Sequence, residues 1–327
     1  MRMHTVYQLA LALTIMTGLL LGGALSPRAA FATTYYVATT GDDGNSGTQS
    51  RPFRTIRKGL TMLRAGDTLQ LRGGIYYEGI NSQNQTIKSG DSWASPVTIA
   101  GHQGEVVTLK GGLNLNAYRG SLRYLVFDNL TIDGRGVFVG GLGAQHIKLQ
   151  NSEIKNAPSN GIQGYDAAYI EFINLKVHNN GSSRWDHGFY IAMQHTLIDG
   201  CDIYNNSGYG IQVYNGHCTT YDCADHTTIR NSSIHNNRGT GGVTLSYGRN
   251  ISFSNNIVYN NRNGVHVSYG KPTNIKIEDN NIYNSVYGIL ISESSIGTIV
   301  QDNILSQNAI AINDRGTGTI LRNNTIE

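Results

Sequence analysis

Proline is scarce in this chain: five in 327 residues, beside three cysteines, two tryptophans and a charged fraction of 14%. Three cysteines are too few for a disulfide scaffold. A formal charge of +3 with no basic stripe argues against a nucleic-acid partner. Beyond residue 25 no segment is apolar enough to span a membrane. What is abundant points away from helices. Forty glycines, nineteen tyrosines and much asparagine suit turns and strands, because Gly and Asn are poor helix formers and accept turn geometry.

The first residues read as a secretory leader. Arg2 and His4 precede an apolar run from Leu9 to Leu25, and Ala30-Phe31-Ala32 follows. Small residues two apart after such a run mark cleavage after Ala32, so 1–32 is a signal peptide. The run is short and broken by Gly18, Gly22 and Gly23, unlike a retained anchor. Loss of Arg2 and Arg28 takes the formal charge from +3 to +1. The mature protein is expected outside the cell or in the periplasm, with no membrane partner. In that setting Cys218 and Cys223, five apart in "HCTTYDCADH", are the natural disulfide pair. The same stretch, with His217 and His226, also has the residue types of a zinc site. Cys201 falls at an inward position and is expected as a buried free thiol.

An internal repeat dominates the rest. Apolar anchors stand at Ile132, Ile154, Val177, Ile203, Ile234, Val258, Ile282, Leu305 and Ile326, spaced by 22, 23, 26, 31, 24, 24, 23 and 21 residues. Three residues before each stands Asn129, Asn151, Asn174, Gly200, Asn231, Asn255, Asp279, Asp302 or Asn323. A second column follows in each unit: "GVFV", "GIQG", "GFYI", "GIQV", "GVTL", "GVHV", "GILI" and "AIAI". Each unit is strand, turn, strand, turn, with alternate side chains inside. One unit cannot bury its own apolar face, whereas stacked units in parallel register can. The Asn column is expected at an inner turn, bonded into an amide ladder. The fold class is therefore all-β, a parallel β-helix, with 33–100 as the cap and first coils and 101–327 as the repeats. The chain stops at Glu327, just after an anchor, so an uncovered last coil would expose strand edges.

With these repeats, and the opening "YYVATTGDDGNSGTQSRPFRTIRKGLTMLRAGDTLQLRGGIYYEG", the chain resembles the secreted right-handed parallel β-helix proteins of the pectate-lyase-like superfamily. The resemblance covers nearly all of the mature chain. The opening is similar to family 9 polysaccharide lyases, in which a strand, an Asp/Gly/Asn loop and a short helix cap the first coil. Here Phe53, Ile56, Leu60 and Leu63 have helical spacing, which predicts that helix, ended by Gly66-Asp67. The superfamily holds lyases, hydrolases, epimerases and non-enzymes, so the resemblance speaks for fold more than for activity.

The candidate site follows from the two long units. The 26-residue unit carries an insertion near 181–187, "SSRWDH", and the 31-residue unit carries one near 215–226. Solenoid insertions form loops over a binding face. Between them the outward positions of the second column run Phe138, Gln163, Tyr190, Gln212, Thr244, His266, Leu290 and Ala311. Two residues on come Gly140, Tyr165, Ala192, Tyr214, Ser246, Ser268, Ser292 and Asn313. Rings and amides on successive coils suit a sugar polymer, although Tyr and Thr also simply suit strands. His187, Tyr190, Asp186 and Arg184 are the candidate catalytic residues: His187 as a base, Asp186 orienting it, Arg184 forking onto a substrate carboxylate. An ordinary loop, with Asp186 capping a turn, is the plain alternative. Trp185, Gln163, Gln212, Tyr214, Asn215 and His266 are the candidate substrate-binding residues.

The resemblance implies β-elimination on a uronic-acid polymer, in which a base removes the C5 proton once the carboxylate is neutralised. Family 9 lyases use a Lys base and an Asp cluster holding Ca²⁺. Neither can be placed here, although Asp166, Asp186, Asp202, Asp222 and Asp225 lie in adjacent coils, with Asp166 and Asp186 the candidate Ca²⁺ ligands. The acidic loop Gly41–Gly47 is a further Ca²⁺ candidate, or a plain turn. Three functions remain open: a polysaccharide lyase or uronate epimerase, a glycoside hydrolase using Asp166 and Asp186, and a non-catalytic carbohydrate-binding or surface protein.

Overall fold

Each repeat unit becomes three short strands joined by corners, and most corners turn on a residue with positive φ. The computed structural model describes residues 32–214, 224–239 and 241–327. The leader before Ala32, the Cys218–Cys223 pair, His217, Asn215 and Asp222 lie outside the described residues. The strands stack coil on coil into three parallel sheets. Sheet I includes Thr34–Val37, Thr68–Leu71, Val97–Gly101, Leu122–Asp128, Ala144–Gln150 and, later, Arg249–Ser254 and Thr273–Glu278. Sheet II has eleven strands among the described residues, from Gly74–Tyr76 to Thr325–Ile326. Sheet III includes Leu113–Asn116, Val137–Gly140, Ile211–Val213, Val243–Leu245 and Asn263–Val267. The long strands Ile162–Ile173 and Phe189–Asp199 run through the corner from sheet III into sheet I and join the two. At about 4.8 Å per coil, sheet II alone extends roughly 50 Å.

The anchors behave as their spacing predicts. Ile132, Ile154, Val177, Ile203, Ile234, Val258, Ile282 and Leu305 pair in register down sheet II and are fully buried. The two-strand reading of each unit missed the third strand. Stretches such as "RYLVFD" and "TNIKIE" supply sheet I, and Phe127, Phe172 and Phe253 point from it into the core. At the far end Ile320, Leu321 and Ile326 are exposed.

The Asn column needs correcting by one residue. Asn151, Asn174, Asn231 and Asn255 have φ near +50° and are exposed. They make the corner, because Asn tolerates the left-handed region better than most residues. The buried ladder is the next residue. Asn280 accepts from Asn256 N at 2.9 Å and Asn256 Nδ2 at 3.1 Å, and donates to Asn303 Oδ1, Phe253 O and Glu278 O, each at 2.9 Å. A second ladder, Asn180 to Asn206 to Asn237 to Asn261, lines the corner between sheets II and III. These amides satisfy backbone groups that the corners take out of the sheets. Cys201 occupies the first ladder's column as the buried free thiol expected. Burial pushes its pKa up to about 12.

The capping helix is Ile56–Met62, shorter than the expected run to Gly66. Thr55 is its N-cap and accepts from Lys58 N at 3.1 Å. Asp43 accepts from Arg54 N, Thr55 N and the Thr55 hydroxyl, and Glu78 accepts from Ile56 N. The acidic loop is thus a turn that holds the helix: Asp42 accepts from Gly44 N, and Asp43 is spent on the cap. Gly59 is required here, since a Cβ would lie 2.5 Å from Leu69.

Neighbouring asparagines therefore differ in what they tolerate. Asn255→Gly is expected to leave urea unfolding nearly unchanged, because glycine accepts φ +55° without strain. Asn256→Ala strands buried backbone groups and is expected to cost about 2–3 kcal/mol in the same measurement.

Candidate functional site

Parallel register fixes which side chains meet on the outer face of sheet III. Phe138 pairs with Gln163, Gln163 with Tyr190, Tyr190 with Gln212, Gln212 with Thr244, and Thr244 with His266. The predicted row holds to Leu290, which then pairs with Asn313 and not Ala311. A two-residue shift keeps the same side chains facing inward, so alternation alone cannot detect it. Of the second row, Tyr165 and Tyr214 face outward. Ala192, Ser246 and Ser268 are buried, and so is Thr244. The Thr244, Ser246 and Ser268 hydroxyls bond to one another at 3.1–3.2 Å. Phe138 and Gln163 also line a cleft of about 280 Å³ with Asn114, Arg135 and Asn160.

The densest polar group lies around Tyr190. Its ring meets Tyr165 edge-on at 5.6 Å and Tyr214 in a stacked arrangement at 6.2 Å. The two phenols lie close enough to influence each other's ionisation. Gln163 Nε2 donates to the Tyr165 hydroxyl at 3.0 Å. Burial raises both phenols above the ordinary tyrosine range, so both are protonated at neutral pH.

His187 sits beneath this group, only 3% exposed. Its Nδ1 accepts from Tyr209 N at 2.9 Å. Burial pulls its pKa down to about 4, against the opposing pull of Asp186 and Gln212. At neutral pH it is a neutral imidazole whose Nδ1 is held by the Tyr209 amide.

Asp186 does not orient His187. Its Oδ2 accepts from Ser182 N at 3.1 Å, Ser183 N at 2.8 Å and the Ser183 hydroxyl at 2.8 Å. Burial alone would raise this carboxyl, but the serine hydrogen bonds outweigh it and hold the pKa below the usual value. The turn-capping alternative describes it. Arg184 lies over the Trp185 ring at 4.7 Å, and Trp185 is 71% exposed.

The two insertions leave opposite edges of sheet III. The first precedes Phe189; residue 214, after Ile211–Val213, leads into the second. The carboxylates separate in the same way. Asp166 follows Tyr165 at the trailing edge and accepts from the Tyr118 hydroxyl at 2.8 Å, whereas Asp186 precedes the paired strand at the leading edge. Four residues of extended strand, roughly 13 Å, lie between these levels. That span is too wide for one Ca²⁺ site, and wider than the roughly 10 Å of a hydrolase pair. Asp202 bonds His235 on sheet II, and Asp225 bonds Asn250. Among the described residues no group of three or more His, Cys, Asp or Glu is placed to hold a metal. The Ca²⁺ expected from the resemblance does not fit these side chains.

A feature missed in the sequence is the leading edge itself. Arg135, Arg184, Arg238 and Arg262 all lie in corners between sheets II and III and are exposed. Asp186 is the one acid in the described corner segments 134–136, 156–161, 179–188, 205–210, 236–239 and 260–262. The signal was present: Arg238 and Arg262 each directly follow a ladder asparagine.

A family model described as the right handed beta helix region matches residues 111–272 and 161–326. One described as a protein of unknown function (DUF1565) matches 39–86. The chain is 25% identical over 146 residues to the uncharacterized protein YwoF of Bacillus subtilis, covering 39% of this chain and 30% of that one. It is 35% identical over 88 residues to the pectate lyase PEL9 of Emericella nidulans, covering 27% and 20%. The matched stretches thus span less than a third of either relative. Among solved structures, one titled a glycoside hydrolase superposes with a TM-score of 0.62 at 11% identity, covering 90% of this chain and 97% of that one. The pectate lyase Pel9A gives 0.53 at 13%, covering 88% and 78%. The mannuronan C-5 epimerase AlgE4 A-module of Azotobacter vinelandii gives 0.53 at 15%, covering 80% and 89%. At such identities the structural likeness is one of fold. Matched by the family model over most of its length, and built as three stacked parallel sheets, this chain belongs to the right-handed β-helix family.

Proposed function

We propose that this protein is an exported carbohydrate-active β-helix that binds an acidic polysaccharide along sheet III and removes the proton beside a uronate carboxylate. The observation that carries the reading is the edge-on Tyr165–Tyr190 pair at 5.6 Å, with Tyr190 set between Gln163 and Gln212 and below an edge of exposed arginines. The relatives' names support a sugar-polymer substrate: one is a pectate lyase, and a fold neighbour is a mannuronan epimerase.

In this reading the Gln163 and Gln212 amides, with Arg184 or Arg135, neutralise the carboxylate and so acidify the C5 proton. Tyr190, as phenolate, takes that proton. Tyr165, its neighbour, returns one. Protonation of the leaving glycosidic oxygen completes elimination, and protonation of the opposite face of C5 completes epimerisation. His187 acts as a positioning residue beneath Tyr190. Trp185 and Tyr214 offer ring surface to neighbouring sugars. No step runs through a metal.

The pH dependence follows from the sign of the shift. Tyr190 titrates above the ordinary tyrosine value, so its phenolate grows as pH rises and kcat should climb through the alkaline range. A near-neutral plateau would contradict Tyr190 as the base.

The direct test incubates the mature protein with a panel of uronic-acid polymers and follows the absorbance of unsaturated uronide, with C5 proton exchange read by NMR. Tyr190→Phe is expected to lower the rate by about 10²–10⁴-fold while polymer binding persists. His187→Asn should lower kcat with little change in KM. Binding with neither elimination nor exchange would leave a non-catalytic carbohydrate-binding protein.

A further inference from the structure

Three coils along sheet III from Tyr190, roughly 14 Å away, a second polar pair has no role in the chemistry above. His266 Nε2 lies 3.0 Å from the Ser292 hydroxyl on the next coil. The two are diagonal neighbours: His266 pairs with Leu290, and Ser292 follows two residues later on the same outward face. Ser292 is half-buried and lines a cleft of about 380 Å³ with Tyr287, Leu290, Glu293, Asn313 and Arg315.

We propose that Ser292 and His266 form a serine-type ester-hydrolysing site for a small acyl ester carried on a sugar polymer. The sugar class rests on the reading of sheet III as a polysaccharide groove. The ester chemistry rests on the pair alone.

An activated serine needs a neutral imidazole within hydrogen-bond reach and a nucleophile open to substrate. Burial pulls the His266 pKa down to about 4, so the ring is neutral at neutral pH. With its proton on Nδ1, Nε2 accepts from the Ser292 hydroxyl. Nδ1 itself is buried with no hydrogen-bond partner among the described residues, so among them this is a dyad lacking the carboxylate that orients a triad histidine. Asn313 and Arg315 bring an amide and a guanidinium to the cleft, where each can polarise an acyl carbonyl.

The steps balance without a further reagent. Ser292 Oγ bonds to the acyl carbon as its proton passes to His266 Nε2. The bond from acyl carbon to sugar oxygen breaks, and the sugar leaves with that proton. Water then attacks the acyl-serine, gives one proton to Nε2, and the free acid departs as Ser292 takes that proton back.

The first experiment treats the wild-type protein with a fluorophosphonate and maps the adduct by peptide mass spectrometry, beside hydrolysis of p-nitrophenyl acetate. The expected result is an adduct on Ser292 and ester hydrolysis that falls on the order of 10³-fold in Ser292→Ala and in His266→Gln. No adduct on Ser292 in the folded wild-type protein, or hydrolysis unchanged in Ser292→Ala, overturns the proposal. Acetate release from acetylated pectin or xylan is the expected sign of the substrate class, and its absence overturns that class. The chromogenic ester contains no sugar, so its hydrolysis is read independently of whether sheet III binds uronic-acid polymers.

Discussion

Every coil must lie in register on the one before it, at a single strand spacing. The backbone bonds of three sheets enforce this, and the buried asparagine ladders carry it round the corners where the sheets are interrupted. Asn280 alone makes five hydrogen bonds to two coils and two strand ends. Fixed spacing then orders the exterior. His178, Tyr204, His235, Tyr259 and Tyr283 stack ring on ring at 4.6–5.1 Å along sheet II, within a few degrees of parallel. Tyr124, His146, Tyr169, His195 and His226 also stack, at 4.6–4.8 Å and within 18° of parallel, at the start of sheet I. The coil repeat is close to a ring-stacking distance, so rings in one column stack without further design.

The same constraint shapes the candidate site. Functional groups on a solenoid are dealt out one coil at a time, and each edge of a sheet is a separate neighbourhood. Tyr165, Tyr190 and Gln212 converge because they share a face on consecutive coils. Asp166 and Asp186 do not, since a strand's length divides the two edges. Arginines gather along one edge because one corner position recurs from coil to coil. The face that results has a cationic border, amides and rings in rows, and protonated phenols held by burial.

Burial governs the acid–base character of these groups. His187 and His266 both remain neutral through desolvation, but their wiring differs. His187 Nδ1 is held by the Tyr209 amide, whereas His266 meets a hydroxyl that faces a cleft. Solvent exposure separates Trp185, out on its loop over Arg184, from the tyrosines that pack against sheet III.

The stacked fold was legible in the sequence because period and alternation are local: the anchors, the second column and the helix at Ile56 follow from spacing alone. So was the part of the rod that carries the insertions. Beyond that, one-dimensional pattern gives out. The third strand per coil was hidden by its weaker signature, and the ladder was misplaced by one residue because adjacent asparagines look alike until φ separates corner from ladder. The slip at Asn313 keeps inward and outward parity while setting Asp314 opposite Ile291, so alternation alone does not report it. The wiring of His187, the turn at Asp186 and the pairing of Tyr165 with Tyr190 depend on contacts between residues 20 to 30 apart in the chain or on local hydrogen bonding. The sequence by itself determined a stacked coil and its spacing. Only the tertiary structure decided which side chains meet, because that depends on register across coils and on which edge of a sheet each corner occupies.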